Sequence, residues 1–301
     1  MIEIIGSKLR VSFPEVHPEA VCEIQFERTL RVPDDGKEYP LPAGLSAFPL
    51  FPVEDYPTPE EWKRRGGVFL PMYQSEAMWI YFRVSGDYPF AVKVAAGKIN
   101  AVDGEPWKNE LSTSSQDYLA LPAQPWLDGF CVSKGIVRQF VAAALGEGHT
   151  AEEQLTGKAE WGGLQLIFYP MKADEYRLRF ELPRQLSEEI EDLSESLRAE
   201  CEALGESFGR IEALIRSQAK RVEELSALAS KQGEMGNWRR VRRALDTYAQ
   251  TRGAIEQLQG NWGRSFNVLP SGILFSRRRV AEGSLSMGLA GGGKINQEIV
   301  K

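Results

Sequence analysis

The sequence predicts an α+β fold: a β-rich, sandwich-like body over 1–182, an inserted long antiparallel helical hairpin of coiled-coil type over 183–262, and a strand segment over 263–301 that returns to the body. Three observations carry this reading. Up to about residue 180 the apolar residues come in short β-branched and aromatic runs separated by Gly, Pro and Asp. From Gln185 to about Ser230 glycine is rare, proline is absent, and apolar residues recur every three, four or seven positions. Beyond 263 the strand-type pattern returns, with Gly272 to Ser276 as its clearest run.

Within 1–58, short strands are expected at Ile2 to Ile5, Leu9 to Phe13, Cys22 to Phe26 and Thr29 to Val32. Pro40, Pro42, Pro49 and Pro52 mark a loop, because proline cannot donate to a sheet ladder. Thr58-Pro59-Glu60-Glu61 reads as a cap, a proline at the first helical position and an acidic first turn, which predicts a short helix to Arg65 closed by Gly66-Gly67. Met78 to Val84 and Phe90 to Val94 read as the two arms of a β-hairpin, with Phe90, Val92 and Val94 on one face. Ile99 to Val102 is a further strand, and 105–127 reads as a polar loop. Trp79, Trp107 and Trp126 offer either a carbohydrate- or base-stacking platform or ordinary core packing.

The stretch Gln124 to Tyr169 concentrates most of the candidate functional side chains. Phe130, Val132 and Ile136 to Val141 predict strands, the second apolar on both faces. Thr150 with Glu153 three residues on is a capping-box pattern that starts a helix at Ala151. Gly162-Gly163 opens a last strand, Leu164 to Tyr169. Asp128, Cys131 and His149 are weak candidates for a catalytic site of hydrolase type, with His149 just before a helix N-terminus. The other reading of the same residues is a turn aspartate, a buried cysteine and a loop histidine.

In the helical region, Leu186, Ile190, Leu193, Leu197, Leu204, Phe208, Ile211 and Ile215 form a heptad-like seam, taken here as a candidate interface. One helix over Gln185–Ser230 would be about 65 Å long at 1.5 Å per residue, unless Gly205 or Gly209 breaks it. The second helix, Asn237 to Gln259, is shorter, so about 30 Å of seam would lack a partner in its own chain. Such a stripe points to self-association or to a docked protein. Residues 181–215 carry ten acidic and three basic side chains, and 216–259 five acidic and nine basic, which favours antiparallel pairing.

The tail contains Gly288 to Lys294, a G-x-x-x-x-G-K run in which Gly291, Gly292, Gly293 and Lys294 are a weak anion-binding candidate. Ile295 stands where a phosphate loop needs Ser or Thr, and too little chain follows for the usual helix. Gly293-Lys294-Ile295-Asn296 echoes Gly97-Lys98-Ile99-Asn100 without extending into a repeat.

At 301 residues, 43% apolar and 26% charged, the composition is that of an ordinary globular protein. The N-terminus lacks the pattern of a signal peptide, and no apolar run reaches the ~20 residues of a membrane span. Three widely spaced cysteines and no CxxC pair predict neither a zinc site nor a disulfide framework, and a cytoplasmic location. No cofactor is implied. The expected function is that of a non-enzymatic binding or structural protein whose helices mediate self-association or partner docking. A hydrolase-type enzyme is the alternative. Nucleic-acid binding would need Lys63 to Arg65, Arg239 to Arg243 and Arg277 to Arg279 to converge, against a net charge of −6.

Overall fold

The computed structural model describes residues 1–262 apart from 38, 134–135, 204–207 and 234. The fold is α+β, and two compact units are distinguished, a β-rich body of Met1–Ala173 and a helical unit that starts at Asp174. In chain order the body holds β1 (Ile2–Ile5), β2 (Lys8–Ser12), β3 (Val21–Thr29), β4 (Gly44–Ala47), β5 (Phe51–Pro52), α1 (Glu60–Arg65), β6 (Val68–Phe69) and β7 (Ala77–Val84). There follow β8 (Phe90–Ala96), β9 (Ile99–Asn100), β10 (Leu119–Leu121), β11 (Trp126–Leu127), β12 (Gly129–Ser133), β13 (Ile136–Val141), α2 (Ala151–Thr156) and β14 (Leu164–Pro170).

The larger sheet runs β1-β2-β3-β7-β13-β12, with β4 beside β3 and β11 beside β7, and every pairing is antiparallel. Strict alternation explains its buried face: Leu9, Val11, Cys22, Ile24, Phe26, Met78, Ile80 and Phe82 point inward, while Lys8, Glu23, Gln25 and Tyr81 lie between them on the wetter face. The smaller sheet runs β10-β8-β14 with β9 beside β8. Its core residues are Phe90, Val92, Val94, Leu119 and Leu121.

Two expectations change here. Met78 to Val84 and Phe90 to Val94 are both strands, but β7 belongs to the larger sheet and β8 to the smaller, so they are not a hairpin. The Ser85–Asp87 turn between them is a single 3-10 turn, with Tyr88 N–H donating to Ser85 O, and it sends the chain out of the first sheet. Ile136 and Val137 are not in a buried strand: they are 54% and 42% exposed, and only Phe140 of β13 is deeply buried. Thr58 does not cap α1 either; its hydroxyl donates to Val53 O at 2.9 Å, and the helix starts at Glu60.

The helical unit begins earlier than the Leu182-Pro183 switch. A helical path runs from α3 (Ala173–Tyr176) through a π-helical turn (Arg177–Glu181) into α4 (Leu182–Ala203), so Pro183 sits inside it. Proline has no N–H to give the preceding turn and collides with the carbonyl four residues back. The π turn relieves this by pairing Leu182 N–H with Arg177 O. The neighbouring carbonyls find donors elsewhere: Asn237 N–H reaches Arg179 O at 2.9 Å, and the indole N–H of the fully buried Trp238 reaches Leu178 O at 3.0 Å. Gly236 is required for that approach, since a Cβ there would stand 2.3 Å from Arg179 O.

Two further helices follow, α5 (Phe208–Gln232) and α6 (Trp238–Trp262), and the unit is a bundle of three long helices rather than a two-helix hairpin. α4 and α5 run antiparallel: Arg221 forms a two-pronged ion pair with Glu189 at 2.6 and 2.9 Å, and Gln218 donates to Ser196 Oγ at 2.9 Å. Tyr248 of α6 donates to Gln218 Oε1 at 2.9 Å, so one buried glutamine ties all three helices in register. The seam is therefore used inside the chain. Leu186, Ile190, Leu197, Ile211 and Ile215 are buried with Trp238, Val241, Tyr248 and Ile255, and Leu193 packs against them. Leu204 and the side chain of Phe208 lie outside the described residues, as does the expected strand segment 263–301.

Leu197→Glu should thus unfold the helical unit, at a cost of several kcal/mol, because it places an unpaired charge in a sealed core. Denaturant melts followed at 222 nm together with light-scattering mass check this. A variant that stays folded and only changes its mass would show that the seam is an interface between chains.

Candidate functional site

The sequence candidates in the central stretch lie on separate elements: Asp128 directly after β11, Cys131 in β12 and His149 ahead of α2. Cys131, in β12, is buried and in no disulfide, and its N–H donates to Ala101 O at 2.9 Å. His149 is exposed just ahead of α2. The other histidine, His17, is structural: it accepts from Glu19 N–H at 3.1 Å and stacks on Tyr88 at 5.3 Å. The three tryptophans do not form a platform either, since no ring contact joins Trp79, Trp107 and Trp126. Among the described residues no group of three His, Cys, Asp or Glu side chains could hold a metal ion.

Asp128 has an unusual environment. Burial raises its carboxyl from 3.8 to about 6, and its Oδ1 is enclosed with no hydrogen-bond partner. The register of β11 on β7, Trp126 opposite Tyr81 and Leu127 opposite Ile80, carries Asp128 alongside Trp79, whose indole nitrogen is also buried without a partner.

A different cluster is assembled with more care. It starts at α2, where Thr150 and Glu153 form the predicted capping box. The Glu153 carboxylate takes the Thr150 hydroxyl and N–H and the N–H groups of Gly148 and Gly146, which hold its pKa down at about 2. The cap fixes the first turn of α2 so that Glu152, between the two capping residues, turns inward, where it is only 3% exposed. Burial by itself would raise the pKa of Glu152. The N–H groups of Gly162, Trp161 and Glu160, at 2.7 to 3.2 Å, outweigh that and keep it below the ordinary range. One carboxylate thus sets the path of the loop that carries Trp161.

Opposite that loop lies the tight turn between β8 and β9, where Gly97 and Lys98 both have positive φ, 56° and 63°. Two such residues are what a two-residue hairpin turn of the mirror-image type requires. Glycine is needed at 97 for a second reason: a Cβ would meet the Cβ of Glu152 at 2.6 Å. Lys98 has no such need, and a lysine in the left-handed region costs about 1 kcal/mol. It is held there by its N–H to Gln165 Oε1 at 2.8 Å and by its carbonyl, which accepts from Trp107 N–H at 2.9 Å.

The Lys98 ammonium then sits between two indoles, 5.5 Å from the ring centre of Trp107 and 4.9 Å from that of Trp161. The Arg65 guanidinium lies 4.7 Å from the Trp161 ring, anchored to Glu61 at 2.6 Å and to the carbonyls of Glu160 and Trp161 at 2.9 and 3.0 Å. Lys93, on the Trp107 side, is fully buried and neutralised by Asp117 at 2.6 Å. Lys98 differs from both: among the described residues no carboxylate lies within ion-pair distance of it. Trp161 leaves 44% of its surface exposed beside it. The chemistry this arrangement offers is charge and stacking.

Comparison with protein-family models, with curated proteins and with solved structures gave no match.

Two outcomes follow. Asp128→Asn should stabilise the body above pH 6, by on the order of 2 kcal/mol, and make no difference below about pH 4. The sign follows from the folded pKa lying above the unfolded one: the favourable contribution of Asp128 is present when it is protonated and is lost as pH rises through about 6. Melting temperatures at pH 3.5 and 8 measure it. Glu152→Gln should cost about 1–3 kcal/mol, since its amide N–H₂ faces backbone donors, and should shift Trp161 emission to the red. In the unaltered chain the contribution of Glu152 is present above about pH 4.5 and lost as pH falls through its depressed value.

Proposed function

We propose that this chain is a non-enzymatic binding protein whose β body carries the binding site at Lys98, Trp107, Trp161 and Arg65. The observation that supports this reading is the Lys98 ammonium, held in a costly backbone conformation between two indoles and given no carboxylate among the described residues. Strained backbone that the surroundings over-determine clusters at functional sites. The helical unit stays a docking or self-association element in this proposal, through faces other than the buried seam. With it go the finer points of architecture: sandwich-like packing of the two sheets, and return of 263–301 to the body. Cys22 and Cys131 are buried and in no disulfide, which suits the reducing cytoplasm proposed as its location. Burial raises the Cys22 thiol to about 12, so it is no nucleophile.

The second reading, an enzyme, draws on Asp128, a carboxyl that titrates near 6 and so could exchange protons at neutral pH. Cys131 and His149, the other residues of that reading, lie on β12 and ahead of α2. A thermal-shift screen of small molecules against the unaltered chain, Lys98→Ala and Asp128→Asn separates the two. Compounds that stabilise the first and third but not the second are the expected result. Compounds lost only with Asp128→Asn, or turned over by the unaltered chain, would favour the enzyme.

A further inference from the structure

We propose that the Lys98 site takes a small organic anion, a single carboxylate or phosphate group attached to a flat apolar ring. This rests on the binding reading of the same site and adds the chemical class of its ligand.

The anionic head follows from charge. Three cations meet these indoles, and two are already committed. Lys93 is buried against Asp117, and Arg65 is spent on Glu61 and two carbonyls. Lys98 alone is left without a carboxylate among the described residues. Two indoles displace part of its hydration, which strengthens its attraction for an incoming negative group. One uncommitted ammonium fits one anionic head rather than a row of them.

The flat apolar part follows from Trp161. Trp161 is 44% exposed even with the Arg65 guanidinium 4.7 Å from its ring centre, and Glu152 fixes the loop that bears it through three backbone N–H groups. The indole is therefore a rigid stacking surface presented beside the ammonium, with little ordering left to be done on binding. An aromatic ring bearing its charge at one end would lie on the indole and reach Lys98 with the head.

The small size follows from the field around the site. Residues 1–173 hold 16 Lys and Arg against 23 Asp and Glu, a net charge of −7. A nucleic acid or an anionic membrane must approach that whole surface and is repelled by it. A monoanion meets only the local cation, since charges beyond about 10 Å are largely screened at 0.1 M salt.

The test uses the full chain labelled with 15N, with indole N–H resonances as the readout. The probes are benzoate, phenyl phosphate, benzamide and benzylamine. Lys98→Asn removes the ammonium but suits the left-handed turn better than lysine does, so it should fold at least as well. Benzoate or phenyl phosphate should shift the Trp161 and Trp107 resonances saturably, with benzamide and benzylamine at least tenfold weaker. Lys98→Asn should weaken the anions at least tenfold and leave benzamide unchanged, and Lys98→Arg should retain binding. Whichever anion binds tighter identifies the head group, and either result supports the proposal. Equal binding of benzamide and benzoate at Trp161 would overturn the anionic class while leaving a binding site there. No saturable shift with any probe would overturn both.

Discussion

The buried carboxylate of Glu152 is the constraint on which the candidate site depends. Without it, three consecutive backbone N–H groups at Glu160, Trp161 and Gly162 would have no acceptor on that side of the loop. A carboxylate accepting several backbone donors is a strong fixed point, because each bond is charge-assisted and the site excludes water. The demand passes outward in both directions. Toward the helix, Glu152 is placed by the capping box of Thr150 and Glu153. Toward the hairpin, its Cβ occupies the space any side chain at 97 would need, which leaves glycine there and fixes the turn that projects Lys98.

The helical unit obeys a parallel logic with backbone groups in the opposite role. There the orphans are carbonyls, those of Leu178 and Arg179, released by the π turn ahead of Pro183. Asn237 and Trp238, about 60 residues on, supply the donors. A proline that would break an isolated helix is accommodated because a distant part of the same chain completes its hydrogen bonds. The same contact ties the start of α6 to the turn ahead of α4, which makes a bundle rather than an extended seam the stable arrangement.

Much of the fold was legible in the sequence, and the failures have physical causes. Strands were readable wherever apolar residues alternated over several positions, as in β3, β7, β8 and β14, and α2 because its cap lies within four consecutive residues. Sheet membership was not readable, since nothing local in Ser85-Gly86-Asp87 distinguishes a hairpin turn from a crossing between sheets. Pro183 misplaced the start of the helical unit because its compensation is tertiary. The long seam looked like one helix because heptad spacing continues through the break between α4 and α5, and spacing cannot report a reversal of direction. In the candidate site, Thr150 and Glu153 were found, Trp107 was weighed as part of a stacking platform and Arg65 as part of a basic cluster, but nothing joined these to Lys98 and Trp161. They lie up to 96 positions apart in sequence, and only the folded backbone brings them together. The one local signal was Gly97-Lys98, an unusual pair for a turn that prefers Asn-Gly.

That departure distinguishes the candidate site from the scaffold around it. At Gly236, Gly97 and Glu153 the residue is the one local geometry asks for. Lys98 and Asp128 go against it: one takes a backbone region lysine disfavours, the other keeps a carboxylate where its Oδ1 has no partner. Both sit in the β body, and each costs about 1–3 kcal/mol that Asn at the same position would remove. The two costs differ in kind. The departure at Lys98 presents a charge at the surface beside an exposed indole, where a ligand can meet it. The departure at Asp128 turns one carboxylate oxygen, Oδ1, away from solvent, with no hydrogen-bond partner. A ligand-binding reading needs the first kind, which is why the proposal rests on Lys98.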